Sequence, residues 1–330
     1  MEMKTFNQDP NFSIVMPGGC NAACDFCFNK QQKQKDACKK IDYILKLWDT
    51  LNVLPSQFYQ ISITGNEPMI SPFIEDILFM CAAKKDRYTN ILLTTNGTNL
   101  LEKSKVVIEG VHHINISRHH YNYAENKNIF KGSWDVTDDE LEKIIDLYSK
   151  NGIDVSLNCV INDDTTSDFI NRYIDYAKKV GAYAVRFRKE NGTLDCTPVE
   201  EEFAKDYPVI WHGVCPVCRT DLRVIKGLKT YWKSSVLEPS DTIQDEVFEL
   251  VYAVDGNIYK DWSQQKPIDV GSVAPVNPVE RIMQLARIQE ATRESYRRTL
   301  PKRDHCGAII SDKCGGDSYN SCGGQSSGRC

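Results

Sequence analysis

No apolar run in this chain approaches the roughly 18 consecutive residues that a membrane-spanning helix needs. Its first ten residues, Met1 to Pro10, are polar and hold no apolar signal core. That absence predicts a protein that is not secreted and stays cytoplasmic, with no membrane partner. Charge of one sign is also scarce. Lys and Arg number 40 against 45 Asp and Glu, a net charge of −5, which argues against general nucleic-acid binding. The six histidines include no His-Glu-x-x-His segment, so a zinc hydrolase of that type is excluded. What is present is 330 residues that are 41% hydrophobic and 26% charged. That suits a soluble globular protein of one large domain or two ordinary ones.

The abundant residue is cysteine, at 13. An odd, high count without a secretion signal points away from a disulfide framework and toward reduced, metal-binding thiols. Their distribution is uneven. Cys20, Cys24 and Cys27 form one group, Cys215 and Cys218 a second, and Cys306, Cys314, Cys322 and Cys330 a third. Cys38, Cys81, Cys159 and Cys196 are scattered and read chiefly as core or loop residues.

From residue 12 to about 188, short β-rich runs alternate with helical patterns. The strand candidates are 12–16, 59–64, 91–95, 111–117, 154–161 and 183–187. Between them lie helical patterns. Ile41, Leu45 and Trp48 share one helical face. Ser71-Pro72 caps a helix over 74–80, and a weaker helix covers 99–108. Thr137 with Glu140 forms a capping box ahead of Leu141, Ile144, Ile145 and Tyr148. Phe169, Ile170, Tyr173, Ile174 and Ala177 form a further apolar face. This βα alternation predicts an α/β fold, a partial (β/α)6 TIM-like barrel of parallel strands, with chemistry at the C-terminal strand ends. Residues 1–195 make up that core.

Residues 196–300 read as an extension of antiparallel hairpins plus a helix. Turns at Lys226-Gly227 and Asp255-Gly256 mark the hairpins, and a charged helix is expected over 277–299. Residues 301–330 form a tail in which six Gly, five Ser and four Cys crowd into Cys306–Cys330. Its cysteines recur every eight residues, and it lacks apolar periodicity.

The strongest motif is Cys20-Asn-Ala-Ala-Cys24-Asp-Phe-Cys27, directly after the first strand. Three close thiolates on a loop can hold three irons of a four-iron cluster and leave the fourth iron open. Pro17-Gly18-Gly19 gives the backbone freedom to wrap it. The competing structure, a zinc knuckle, wants four protein ligands, and no fourth Cys or His follows nearby.

On these residues the sequence resembles the radical S-adenosylmethionine (SAM) superfamily over about residues 10–190. Thr64-Gly65-Asn66-Glu67-Pro68 follows the second strand and looks like the family's GGEP segment, which binds the SAM amino group. Thr95-Asn96-Gly97 ends the third strand. Ser117-Arg118 ends the fourth, where the family contacts the SAM ribose or carboxylate. Asn158 and Val160 to Asn162 resemble polar and adenine-contacting positions of the fifth strand, and Phe26 the aromatic that lies against adenine. The resemblance implies a 4Fe-4S cluster and S-adenosyl-L-methionine as cofactors. It also implies reductive cleavage of SAM to a 5′-deoxyadenosyl radical that abstracts a hydrogen atom from substrate, a flavodoxin or ferredoxin as electron donor, and an oxygen-poor setting. Within the superfamily, Cys20 to Phe28 and Asn158 to Asn162 look like viperin and the GTP 3′,8-cyclases, while a twitch-like hairpin region suggests peptide maturation. Small-molecule, nucleotide and peptide substrates all stay open, as does a non-catalytic iron–sulfur module.

Two further groups carry chemistry. His112 and His113 start the fourth strand and read as structural. His119, His120 and Tyr121 follow its C-terminal end, where many relatives carry an Asp; they are candidates for substrate contact or proton transfer, beside the plainer reading of a polar loop. Arg118, Arg186 and Arg188 end two strands and suit a phosphate or carboxylate on substrate or SAM. Cys215-Pro-Val-Cys218 is half of a metal site. With His212, Cys196, His305 or the tail cysteines it suits a second iron–sulfur cluster, a zinc ion or free thiols.

Overall fold

The computed structural model describes residues 11–27, 36–54, 60–88, 90–190, 198–212, 220–233 and 249–269. Its core is a parallel sheet. Strands β1 (Asn11–Val15), β2 (Gln60–Thr64), β3 (Asn90–Thr95), β4 (His113–Ser117), β5 (Asp154–Ile161) and β6 (Ala184–Lys189) pair in sequence order. Helices α1 (Lys40–Val53), α2 (Ile74–Ala82), α3 (Ser104–Gly110), α4 (Tyr123–Phe130), α5 (Asp138–Lys150), α6 (Ser167–Lys179) and α7 (Pro198–Asp206) supply the connections and the outer layer. Among the described residues the sheet does not close, which fits a partial TIM-like barrel.

The two hairpin regions do not lie together. β8 (Thr220–Ile225) and β9 (Leu228–Lys233) form a hairpin whose β9 runs parallel to β6. The short β7 (Trp211–His212) flanks it on the outside. β10 (Glu249–Tyr252) runs parallel to β1 at the opposite edge, followed by β11 (Ile258–Tyr259) and β12 (Pro267–Ile268). Among the described residues eight strands therefore run parallel within a sheet of twelve. The helix expected over 277–299 lies outside the described residues.

Strand alternation separates two faces. Ile114, Ile116, Val155, Leu157, Val185 and Phe187 point outward into the core formed with α5, α6 and α7. Ser13, Ser62, Asn115, Ser156, Asn158 and Arg186 occupy the other register and face inward. At the N-terminal strand ends the inner face is closed by polar bonds. Asn11 Oδ1 accepts from Gln60 and Ser62 at 2.9 and 2.8 Å. Glu249 accepts from Asn11, Ser13 and Trp262.

Helix α5 carries the expected Thr137/Glu140 capping box and buries Leu141, Ile144, Ile145 and Tyr148. Helix α1 forms where expected but presents the opposite side. It buries Tyr43, Leu47, Thr50 and Leu51, while Ile41, Leu45 and Trp48 are exposed. Tyr43 decides the rotation, because its hydroxyl donates to the Val15 carbonyl at 2.8 Å inside the core. Helix α4 lacks an apolar repeat and is absent from the sequence expectations. Asn122 starts it by accepting from the Glu125 amide. Among the described residues no helix is long and apolar enough to cross a membrane.

Candidate functional site

The cysteine loop leaves β1 at the C-terminal edge of the sheet and is fastened from three sides. The Glu67 amide donates to the Gly19 carbonyl at 3.3 Å. Asn21 accepts from Asn96 Nδ2 at 2.8 Å and donates to Thr98 Oγ1 at 2.9 Å. Its carbonyl takes the Ser133 amide at 2.9 Å, and the Ala23 amide reaches the Phe130 carbonyl at 2.6 Å. Gly132 fits against the Asn21 carbonyl so closely that a Cβ would lie 2.5 Å from it, and its φ of +63° is left-handed. Cys20 is exposed, and Cys24 and Cys27 are half-buried. The Ala22 amide points at Cys20 Sγ at 3.4 Å. Among the described residues no three Cys, His, Asp or Glu side chains gather around a point that a single ion could occupy. Three cysteines close together on a shaped loop are a donor set that fits a cluster-sized group.

The β2 loop follows from two local constraints. Gly65 has φ +86°, and a Cβ there would meet Val15 Cγ1 at 2.8 Å. Asn66, also left-handed at φ +49°, donates to the Met16 carbonyl at 2.9 Å. Pro68 opens a short 3-10 turn, Pro68–Ile70. Glu67 is buried at the centre. It accepts from Thr95 Oγ1 at 2.6 Å, the Asn96 amide at 2.6 Å and the Met69 amide at 2.9 Å. Burial raises its carboxyl to about 7, against the downward pull of those three donors. Its carboxylate joins the β2 and β3 loops, while the backbone around it faces the cysteine loop.

At the end of β4 successive residues go to different places. Ser117 faces inward, in register with Asn158 and, through it, Arg186. Arg118 points to the helical side and is 1% exposed. It donates to the carbonyls of His120 and Val136 at 3.1 and 3.3 Å and pairs with Asp138 at 2.5 Å, between the rings of Trp134 and Tyr176. The Arg118 side chain is thus turned away from the inner face. Its guanidinium braces α5 and α6 from behind the sheet.

His119 lies edge-on to Phe26 of the cysteine loop, ring centroids 4.7 Å apart, and against Phe130 at 5.0 Å. Its Nδ1 accepts from the Val160 amide at 3.2 Å. Burial, aided by the Arg118 charge, pushes the imidazole down to about 3, so it is neutral at pH 7. His120 and Tyr121 turn toward α6 and stack with Phe169. A cavity of about 380 Å³ opens at the barrel mouth, lined by Phe26, His119, Lys131, Val160, Asn162 and Glu190 among others. The structure brings His119 to this cavity and leaves His120 and Tyr121 outside its lining. Asn158 adds a buried Oδ1 without a hydrogen-bond partner on the inner face.

His113 is structural as expected, bonded to Ser156 and Asn115. Cys159 is fully buried on the outer face, with its thiol toward the His119 carbonyl at 3.4 Å. Cys215, Cys218, Cys306, Cys314, Cys322 and Cys330 lie outside the described residues. Sequence reasoning missed Asn126, which is fully buried and whose Oδ1 takes the amides of His119 and His120 at 2.7 and 3.0 Å. It also missed Gly132 and Trp134, whose indole donates to the Asn96 carbonyl at 2.9 Å. The visible signal was Asn122 as a helix cap, which would have placed α4 and all three residues near the cysteine loop.

The radical SAM superfamily model matches residues 14–173. That stretch is a radical SAM domain. The family implies a 4Fe-4S cluster and SAM, and the three thiols and the adjoining cavity suit those two groups. Among solved structures the chain is similar to Streptococcus suis SuiB bound to S-adenosylmethionine, with 14% identity and a TM-score of 0.53 over 80% of this chain and 62% of that one. A second SuiB structure matches with 14% identity and a TM-score of 0.52, over 91% of this chain and 71% of that one. At this identity the likeness is one of fold. The chain spans less than two thirds of the SAM-bound SuiB chain. A search among curated proteins finds no match.

Proposed function

We propose that this protein is a radical SAM enzyme acting on a small-molecule or nucleotide substrate. The observation that carries the reading is the placement of the Cys20–Cys27 loop beside the cavity at the barrel mouth, with Phe26 lining that cavity. A 4Fe-4S cluster and SAM, when bound, supply a one-electron cleavage and a 5′-deoxyadenosyl radical for hydrogen abstraction.

The chain's own residues hold and shield that chemistry. Cys20, Cys24 and Cys27 are the cluster ligands. Glu67, through its ties to Asn96 and Met69, fixes the two loops whose backbone faces SAM. Phe26 and Val160 offer apolar surface to adenine, and Ser117 and Asn158 offer polar atoms on the inner face. His119, neutral and braced between Phe26 and Phe130, sets the position of the cysteine loop rather than shuttling a proton. An electron donor such as flavodoxin or ferredoxin, and an auxiliary cluster on the later cysteines, complete the proposal.

The test is anaerobic reconstitution followed by iron counting and product analysis with SAM and a reductant. The expected result is about four irons per cluster and release of 5′-deoxyadenosine or methionine. Bound iron with no SAM cleavage under any reductant or candidate substrate would overturn the enzyme reading in favour of an iron–sulfur binding module.

A further inference from the structure

Four neighbouring strands present one continuous row of inward side chains. Ser117 of β4 pairs in register with Asn158 of β5, Asn158 with Arg186 of β6, and Arg186 with Tyr231 of β9. The row lies below the mouth. Arg186 is three residues before the end of β6, a depth of about 10 Å along the strand. Its guanidinium carbon stands 4.4 Å from the Tyr231 ring centroid. Arg186 Nε is buried without a hydrogen-bond partner, as is Asn158 Oδ1 in the same row. No hydrogen bond or ion pair reaches the Arg186 guanidinium among the described residues.

Among the described residues the surroundings supply no counter-charge. In the row nearer the mouth Arg188 pairs with Lys233, and in the row beneath Ala184 pairs with Lys229. Asp154, the carboxylate on the inner positions of β5, lies beside Lys229 and accepts from Tyr183. Burial acts on Arg186 against its charged form, with the two tyrosines opposing it only in part. A buried guanidinium nitrogen left without an acceptor is costly, and proteins keep such groups paired. The planar fork is suited to two parallel bonds with an oxyanion.

We propose that Arg186 receives an oxyanion of the substrate, a carboxylate or phosphate group, on the inner face of the barrel. Naming that anion as the substrate's rests on the radical SAM reading above; the anion site itself rests on Arg186 and its neighbours. Ser117 and Asn158 extend the row toward β4 and offer further polar atoms to the same ligand.

The test uses the full-length, cluster-loaded protein with inorganic phosphate and acetate as probes, compared with chloride at equal ionic strength. Equilibrium dialysis is expected to find one saturable site per chain for at least one probe. Arg186→Met should weaken it at least about tenfold, and Arg186→Lys, which keeps charge without the fork, by less. The melting temperature serves as a second reading. In chloride Arg186→Met should melt at or above wild type, because an unpaired buried cation is gone, and the probe anion should raise only the wild-type value. The probe should bind equally well with SAM at saturation. Equal anion binding in wild type and Arg186→Met, or no binding of either probe, overturns the site. One-for-one displacement by SAM overturns its assignment to substrate. Anion binding that depends on Arg186 in a protein that never cleaves SAM supports the site while removing the proposed function. SAM cleavage without any anion binding overturns the site alone.

Discussion

Replacing Glu67 by glutamine isolates the cost of a buried carboxylate. Burial lifts this carboxyl from 4.5 in the unfolded chain to about 7 in the fold. A raised acid binds protons more readily when folded, so between those two values the folded state carries the extra proton. Stability therefore falls as pH rises through that window, by roughly 3 kcal/mol in total, and is flat on either side. Glutamine does not ionise. Like the protonated acid, it turns a donor toward the group formed by Thr95, the Asn96 amide and the Met69 amide, so that penalty is shared. Urea unfolding of the cluster-free protein should then give nearly equal stabilities at pH 4, below both values. At pH 8 Glu67→Gln should be the more stable by about 3 kcal/mol. A difference that is constant with pH refutes the argument. A difference of the opposite sign shows that the three donors outweigh burial and hold the carboxylate ionised throughout.

Three other outcomes follow from the site. Cys24→Ala should lose most of the iron of the first cluster, about four atoms per chain, on anaerobic iron analysis; full retention would remove this thiol from the ligand set. His119→Gln should become more stable relative to wild type in acid, by about 2 kcal/mol at pH 5, because the wild-type ring is held down near 3 and resists protonation; an unchanged difference from pH 7 to pH 5 counts against a buried neutral ring. Gly132→Ala puts a Cβ 2.5 Å from the Asn21 carbonyl at a left-handed φ of +63°. It should cost about 1–3 kcal/mol in urea unfolding and lower iron occupancy, and wild-type iron content would show that the loop tolerates displacement.

The six central strands were legible because each is a short β-rich run followed by a helix signal, and parallel pairing in sequence order then leaves few arrangements. The turns at Lys226-Gly227 and Asp255-Gly256 were equally plain. Where those hairpins attach was not, because β9 on β6 and β10 on β1 are pairings set by the whole sheet. Helix α1 shows the limit of periodicity. Two apolar stripes compete on it, and the buried hydroxyl of Tyr43 favours the one opposite Ile41, Leu45 and Trp48. The three-cysteine loop could be read from spacing alone. Arg118 and His119 could be named as site neighbours, yet their orientation depends on where β4 ends and on Asn126, Trp134 and Asp138, which follow on α4, the turn after it and the start of α5.

The bonds around Asn21 bear on how a cluster is installed. The loop meets Phe130, Ser133, Asn96 and Thr98 through its own backbone and the Asn21 amide. Its ordering entropy is thus lost during folding of the barrel, and little of that cost falls on metal uptake. Zinc-finger modules behave differently, since metal and fold arrive together there. For this chain, chelation of the iron should leave a folded barrel with an intact receptor loop, ready to be reloaded without a refolding step.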